Sequence, residues 1–390
     1  MARQDNGDKP ILVTQLVNCL GIGGTERQLV EHLRRLDRAR FTADLACLHK
    51  VGEYLPVVRA LSIEPREYSL RGTLLRPNTL LQVHRLARQM KANGTLLLHC
   101  HDFYSNIVGS LAAREAGIPY IVSRRDMGAW LDWKRKQLVK LAARLATRVL
   151  VNAYAVRDQL IHTEGIAASQ ITVIHNGLDI DGFDREAARP LASPLPAIDR
   201  HGPVVAMVGN LKHVGKGHAE TVIAAAAVLR VLPECRFLLI GDGELRPALE
   251  QQARDLGIGH AILFAGKRTD VPALLARSHV AISASHSEGL SNAIMEGMAA
   301  RLPIVATGVG GNIELVRDGR TGFIVRKADP AGLAQRLIEV LRDPTRAKQM
   351  GLAGRRRIED EFSTRNLSER TSSLYCDMLG LTKELRRAAA

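Results

Sequence analysis

Two carboxylates, Glu288 and Glu296, stand with seven residues between them in Glu-Gly-Leu-Ser-Asn-Ala-Ile-Met-Glu, which follows the apolar run Val280–Ser283 across Ala-Ser-His-Ser. The segment reads as strand, small polar loop and helix. A helix starting near Ser291 or Asn292 leaves Glu288 on the loop before it and carries Glu296 about one turn in. The N–H groups of Gly289, Leu290 and Ser291 then meet at a helix N-terminus, where donors lack intrahelical partners and an anion is favoured. Gly289 allows close backbone approach. That is a seat for a diphosphate, with carboxylates on either side to accept hydroxyls, one from a sugar and one from a ribose. The other reading is a surface loop whose glutamate complements a helix dipole.

A second group lies in Val208-Gly-Asn-Leu-Lys-His-Val-Gly-Lys-Gly217, after an apolar run. It is not a nucleoside-triphosphatase loop. Five residues, not four, separate Gly209 from Gly215-Lys216, and Gly217 stands where Ser or Thr is required. A glycine-rich loop carrying Lys212 and Lys216 still suits a polyanion, with Lys216 as a point charge on a phosphate; solvated loop lysines are the alternative. Gly21-Ile-Gly-Gly-Thr-Glu-Arg27 follows the first strand candidate and brings Gly23 and Gly24 to a helix start. Glu26 occupies the third glycine position of a dinucleotide fingerprint, so this is either a close-approach loop or a plain tight turn. His99-Cys-His-Asp-Phe-Tyr-Ser-Asn106 ends another strand candidate, where polar side chains are well placed for a ligand, and His101 is the candidate there. His99, His101 and Asp102 have no further ligand cluster beside them, so no metal is expected.

The segment from Ser123 to Arg148 holds Arg124, Arg125 and both tryptophans, Trp130 and Trp133. Lys136, Lys140, Arg144 and Arg148 recur every four residues, and Leu138, Leu141 and Leu145 mark an apolar side. A basic helix opened by tryptophans suits an anionic bilayer surface. The alternative is a core-packed helix with a solvated face, or Arg124 and Arg125 clamping an acidic acceptor. Asp179-Ile-Asp181 has the spacing of a metal-dependent nucleotide-sugar site, but it lies away from the phosphate loops and reads as a turn.

The elements that must hold these groups alternate from end to end. Strand candidates are Ile11–Val17, 42–48, 96–100, 120–123, 149–152 and 172–174, then Val204–Val208, Arg236–Ile240, 262–264, Val280–Ser283, Ile304–Thr307 and Gly322–Val325. Helical patterns fall between them, including 25–36, 79–92, 130–148, 219–231, 245–256 and 331–342. Alternation with near-continuous apolar strands implies parallel sheets covered on both faces. Asp184–Pro203 carries four prolines without periodicity and reads as a linker. The expected division is 1–183, a linker at 184–203, a second α/β domain over 204–355 and a C-terminal helix over 356–390. Ligands of two such doubly wound domains are expected in a cleft at the carboxyl ends of their strands.

The chain has 390 residues, 46% hydrophobic and 24% charged, which excludes wholesale disorder and fits two domains. A net charge of +14 asks for an acidic partner: nucleic acid, an anionic membrane or a phosphorylated substrate. The five cysteines include no C-x-x-C, which excludes a disulfide scaffold or zinc ribbon and suits a reducing cytosol. The first residues carry no signal-peptide pattern and no apolar run is long enough to span a bilayer, so any membrane contact is expected to be peripheral. Aromatics are only 4%, with no nucleic-acid-binding module, so nucleic acid is not expected as a partner.

In order along the chain, Gly23-Gly-Thr-Glu26, His101-Asp102, Ile174-His-Asn-Gly-Leu-Asp179, Gly209–Gly217, Gly241-Asp-Gly-Glu-Leu245, Phe264–Val271, Ser285–Glu296, Arg301–Thr307 and Gly310–Val316 resemble retaining glycosyltransferases of family four. The resemblance covers most of the chain. It implies the GT-B fold: two Rossmann-like doubly wound domains facing a central cleft, with a C-terminal helix crossing back to the first domain. It also implies transfer of a hexose from a nucleotide diphosphate sugar, UDP-linked by family frequency, to a glycan or lipid-linked acceptor, with retention and without metal or other cofactor. Glu288 would bind donor-sugar hydroxyls and Glu296 the ribose. Gly289 and Leu290 would offer N–H groups, and Lys216 would neutralise the leaving diphosphate. Gly23 and Gly24 would admit the phosphates, and His101 would lie near the reacting carbon. Arg268 and Val271 fall where the family holds the base. Asn210 stands where the family often has arginine, and Lys212 is positioned in sequence to supply that cation. A nucleotide-sugar epimerase on the same fold and a non-catalytic anion binder are the competing readings.

Overall fold

The computed structural model describes residues 10–72, 74, 76–195 and 202–381. The chain divides into two units. The first runs through Gly177 and is rejoined by the chain from Thr364 onward; the second is Leu178–Ser363.

The first unit holds a sheet of β1 (Ile11–Val17), β2 (Phe41–Cys47), β3 (Arg66–Glu67), β4 (Leu97–Cys100), β5 (Tyr120–Arg124), β6 (Arg148–Val151) and β7 (Ile171–Val173), ordered β3-β2-β1-β4-β5-β6-β7. The second holds β8 (Val204–Val208), β9 (Arg236–Ile240), β10 (Ile262–Gly266), β11 (Val280–Ser283), β12 (Ile304–Thr307) and β13 (Gly322–Val325), ordered β10-β9-β8-β11-β12-β13. All pairings between these strands are parallel. The residues dictate this: β4, β5 and β11 are buried along their whole length, as strands covered on both faces must be. Both units are thus Rossmann-like. β3 escapes the sequence pattern because it is two exposed charged residues at a sheet edge.

Strand order reverses between β1 and β4 in the first sheet and between β8 and β11 in the second. At such a switch point the connections from neighbouring strands depart to opposite sides and leave a crevice at the carboxyl ends. The loops after β1, β4, β8 and β11 are the four that carry Gly23, His101, Lys216 and Glu288.

The boundaries differ from the expected linker. Asp184 is not linker: the helix Ile180–Ala187 belongs to the second unit, and Asp184 accepts two bonds from Arg355, at 2.6 and 2.7 Å. Leu178 N donates to Phe362 O at 2.9 Å, so both ends of the second unit meet. Prolines at 190 and 194 do break the helical run after Ala187, while residues 196–201 of the expected linker lie outside the described residues. The expected helix from 356 is two helices. Pro344–Glu361 stays with the second unit, and Thr364–Leu379 packs Leu367, Leu374 and Tyr375 into the core formed by Val13, Phe41 and Leu97 of the first. Residues 382–390 of that expected helix lie outside the described residues.

Candidate active site

In the second unit the loop after β11 leads to a helix, Asn292–Ala299, capped by Ser291, whose hydroxyl accepts from Ile294 N. Glu288 sits on the loop and Glu296 in the helix, where it is buried. Gly289, Leu290 and Ser291 are buried beside the helix start. The Gly209–Gly217 loop follows β8, which is hydrogen-bonded to β11, and crosses to the same place. Lys216 Nζ reaches Glu288 Oε1 at 2.6 Å, although 72 residues separate them, and Ser285 Oγ donates to the same oxygen at 2.8 Å. Lys216 remains about a third exposed and Glu288 mostly buried.

Close backbone contacts fix this geometry. Gly217 has φ +75°, and a Cβ there would stand 2.0 Å from Ala284 O. Gly310, with φ +50°, would place a Cβ 1.7 Å from Glu288 O. Only glycine permits either approach. His286 N donates to Gly215 O at 2.8 Å, and Gly311 N to Gly289 O at 2.7 Å, so the Glu288 loop is held from both sides. Asn210 and Lys212 are exposed on the outer part of the glycine loop, where Asn210 Oδ1 accepts from Lys212 N.

Arg268 has a different partner set from a free base-binding cation. Its guanidinium donates to both Asp270 oxygens, at 2.7 and 2.6 Å, and to Ser193 through its Oγ and O. It therefore ties the segment entering the second sheet to the loop after β10. Val271 begins the short helix that follows.

In the first unit, Gly23 is the N-cap of the helix Gly24–Arg34, and Glu26 folds back over it: a Cβ on Gly23 would lie 2.2 Å from Glu26 Oε2. Burial pushes the Glu26 carboxyl up, and Asp102 nearby adds to this. A pocket of about 200 Å³ is lined by Thr25, Glu26, His101, Asp102, Arg125 and Trp130 among others. Asp102 caps the helix Phe103–Ala116 by accepting from Tyr104 N and Ser105 N, and also takes Asn18 N at 2.6 Å, locking the loops after β1 and β4 together. His101 is buried, with Nε2 2.8 Å from Gln15 Oε1 and its ring stacked on His99 at 4.1 Å. Burial holds both histidines well below the usual imidazole range, so both are neutral. His99 bonds through its two ring nitrogens to Tyr375 and Ser123.

Arg124 and Arg125 both line this pocket, but Arg124 already has a carboxylate partner. It is buried and engaged by both Glu164 oxygens at 3.0 and 2.9 Å, a partner 40 residues away. Arg125 does line the pocket, donates to Asn176 Oδ1 at 3.0 Å, and is lowered to about 10 by burial. Trp130 lies outside the helix Trp133–Leu145, donates to Asp126 Oδ2 and packs edge-on against Phe103. The expected apolar side of that helix proves to face water. Its core contacts are the small Val139, Ala142 and Ala143. Leu138, Leu141 and Leu145 are 40%, 54% and 42% exposed, and Trp133 is 71% exposed. Lys136 is exposed and Lys140 half-buried.

Ser285, Glu164, Gln15 and Tyr375 belong to these sites and were not singled out in the sequence. Ser285 had a signal, three positions before Glu288 in the same polar loop; the others are brought in by long-range packing alone.

Residues 22–181 match glycosyltransferase family 4 and residues 202–343 match glycosyl transferases group 1. The UDP-Gal:alpha-D-GlcNAc-diphosphoundecaprenol alpha-1,3-galactosyltransferase of Escherichia coli is 27% identical over 92% of this chain and 95% of that protein. The alpha-maltose-1-phosphate synthase of Mycolicibacterium smegmatis is 27% identical over 73% and 79%. Among solved structures, Anabaena Alr3699/HepE in complex with UDP aligns with a TM-score of 0.80 at 21% identity, covering 94% of this chain and 100% of that one. A glycosyltransferase from Rickettsia africae aligns at 0.81, with 20% identity over 95% and 99%. These likenesses give the fold as GT-B; the epimerase reading finds no support among them.

Proposed function

Because the chain belongs to the glycosyltransferases of family four, we propose that it moves a hexose from a nucleoside diphosphate sugar to a glycan or lipid-linked acceptor, with retention and without a metal ion. The observation that carries this reading is the pairing of Lys216 with Glu288 at 2.6 Å beside a helix N-terminus. The two sequence-distant groups with donor chemistry meet at the carboxyl ends of neighbouring strands, where a doubly wound sheet binds its ligand.

The pair exchanges partners when the donor arrives. Lys216 turns its charge to the departing diphosphate, and Glu288, still held by Ser285, accepts from hydroxyls of the sugar. The N–H groups of Gly289 and Leu290 add to the anion's seat, and Glu296 takes the ribose. Stabilising the departing anion and the oxocarbenium-like carbon lowers the barrier electrostatically, commonly the largest contribution to such catalysis. The leaving phosphate takes the acceptor's proton on the same face, which accounts for retention without a dedicated base. Within the first unit, neutral His101 lines a pocket suited to sugar hydroxyls. With the Arg268 guanidinium engaged by Asp270, the base is read by the backbone around Val271. UDP is the favoured nucleotide; the galactosyltransferase relative named above uses a UDP-sugar and a lipid-linked acceptor by its name.

The acceptor side is the first unit's pocket with Arg125, and the protein works from the cytoplasm at the inner face of the membrane, in cell-surface polysaccharide or glycolipid synthesis. No helix among the described residues is long and apolar enough to cross a membrane. The exposed Leu138, Leu141, Leu145 and Trp133, among Lys134, Arg135, Lys136 and Arg144, form an apolar stripe with basic flanks suited to an anionic bilayer.

Incubating the protein with UDP-hexoses and a lipid-linked acceptor fraction should release UDP and yield an α-linked product. Lys216→Ala and Glu288→Ala should each lower the rate by about a hundredfold or more. Unchanged rates in both variants would remove the site assignment.

A further inference from the structure

The helix Thr364–Leu379 does more than close the first unit's core. Its Tyr375 is fully buried, yet its phenol oxygen meets three side chains from three other elements. Gln15 Nε2, from β1, donates to it at 3.1 Å. His99 Nδ1, from β4, lies 2.7 Å away, and His32 Nε2, from the helix Gly24–Arg34, lies 3.2 Å away. One hydroxyl has one proton and can accept two. Since it accepts from Gln15, the consistent assignment has it donate to His99 Nδ1 over the shorter distance and accept from His32 Nε2–H. His99 Nε2–H then donates to Ser123 Oγ at 2.9 Å.

The same reasoning reaches the pocket. With its amide nitrogen turned to Tyr375, Gln15 presents Oε1 to His101 Nε2 at 2.8 Å, and an amide oxygen can only accept. His101 therefore carries its proton on Nε2. Its Nδ1 is left bare, buried and without a hydrogen-bond partner. A buried polar atom without a partner is costly unless water or a ligand meets it. His101 lines the pocket beside Glu26 and Arg125.

We propose that Tyr375 is a positioning residue for glycosyl transfer: through Gln15 it holds His101 in the Nε2–H tautomer, so that the Nδ1 lone pair accepts a hydroxyl of the sugar substrate in the pocket. This rests on the transferase reading above. Neither Tyr375 nor Gln15 touches substrate; they decide which way the histidine's one donor and one acceptor face. The opposite tautomer would offer a donor where the substrate hydroxyl must donate. The edge-on contacts of Tyr375 with Phe41, His32 and His99 keep the phenol in place and survive loss of its oxygen.

The test is Tyr375→Phe in the full-length protein labelled with ring-15N histidine, with His101 assigned by the resonances missing in His101→Gln. The wild type should show His101 protonated at Nε2 and bare at Nδ1. Tyr375→Phe should mix the tautomers and lower kcat about tenfold, with the nucleotide-sugar KM within about twofold. Gln15→Leu should do the same with Tyr375 intact, and it serves if the first variant does not fold. A wild-type His101 protonated at Nδ1, or variants that change neither tautomer nor kcat, would overturn the proposal. The tautomers are read without substrate, so expected tautomers in a protein that transfers no sugar would contradict the function and leave the relay standing.

Discussion

The two units share a sheet order and a switch point, yet they place opposite chemistry there. In the second, the carboxyl ends of β8 and β11 bring a lysine and a carboxylate together in loops held by glycines, with Lys216 still partly in water. In the first, the ends of β1 and β4 bring buried, uncharged histidines onto a tyrosine–glutamine network, and the ion pair nearby, Arg124–Glu164, is mostly buried. Charge exposed on glycine loops suits an anion that comes and goes. Neutral buried donors and acceptors suit hydroxyls, whose recognition needs direction more than charge. One topology thus offers exposed charge in one copy and neutral hydrogen-bonding groups in the other.

This contrast can be broken in three ways. The largest effect is expected from Glu164→Leu, which leaves Arg124 buried and unpaired. It should destabilise the first unit by about 3–5 kcal/mol, read as a lower melting temperature in tryptophan fluorescence, since both tryptophans, Trp130 and Trp133, lie in that unit. A normal melt with lost activity would instead make Arg124 a ligand clamp.

Acid comes next. Burial lowers His32 to about 4, and His99 and His101 also fall well below their usual value; among the described residues of the second unit the lowered histidines are the buried His218, to about 4, and the exposed His279. These groups are neutral when folded and take up protons when unfolded. Stability is therefore full above the unfolded value near 6.5 and is lost as pH falls toward 4, by about 1.4 kcal/mol per pH unit for each of the buried His32, His99, His101 and His218. Among the described residues three such buried histidines lie in the first unit and one, His218, in the second, so the first unit should unfold at the higher pH and tryptophan fluorescence should change before far-ultraviolet circular dichroism is complete. Coincident transitions would contradict the difference.

The smallest effect is expected on the exposed stripe. Leu141→Gln should leave the melting temperature nearly unchanged but weaken binding to vesicles containing anionic lipid by about 1 kcal/mol, roughly fivefold. Equal binding to neutral and anionic vesicles by the wild type would remove the basic residues from the contact.

The sequence made the second unit easier to read than the first, for a physical reason. Glu288, Ser291, Lys216 and the glycines lie in two short runs, each next to a strand whose apolar pattern marks its end. Local spacing is enough to place them. The first unit's groups depend on partners far along the chain: Arg124 on Glu164, His99 on Tyr375, 276 residues away. No periodicity announces such pairs, and so Arg124 reads as a free cation in the sequence. The same holds for Arg268 and its bonds to Ser193. The leucines of Trp133–Leu145 mislead differently: they have core spacing, but the small Val139, Ala142 and Ala143 make the closer packing. The boundary near 184 shifts because prolines break a helix only after Ala187, while Asp184 is already anchored by Arg355.

The central claim is that Lys216 and Glu288 part to hold the diphosphate and the sugar of a nucleoside diphosphate sugar. Calorimetric titration of UDP and a UDP-hexose into wild type, Lys216→Ala and Glu288→Gln tests it most directly. Lys216→Ala should weaken both ligands by about tenfold or more. Glu288→Gln should bind UDP as the wild type does and lose affinity only for the sugar nucleotide. Wild-type affinity of Lys216→Ala for UDP would contradict the account.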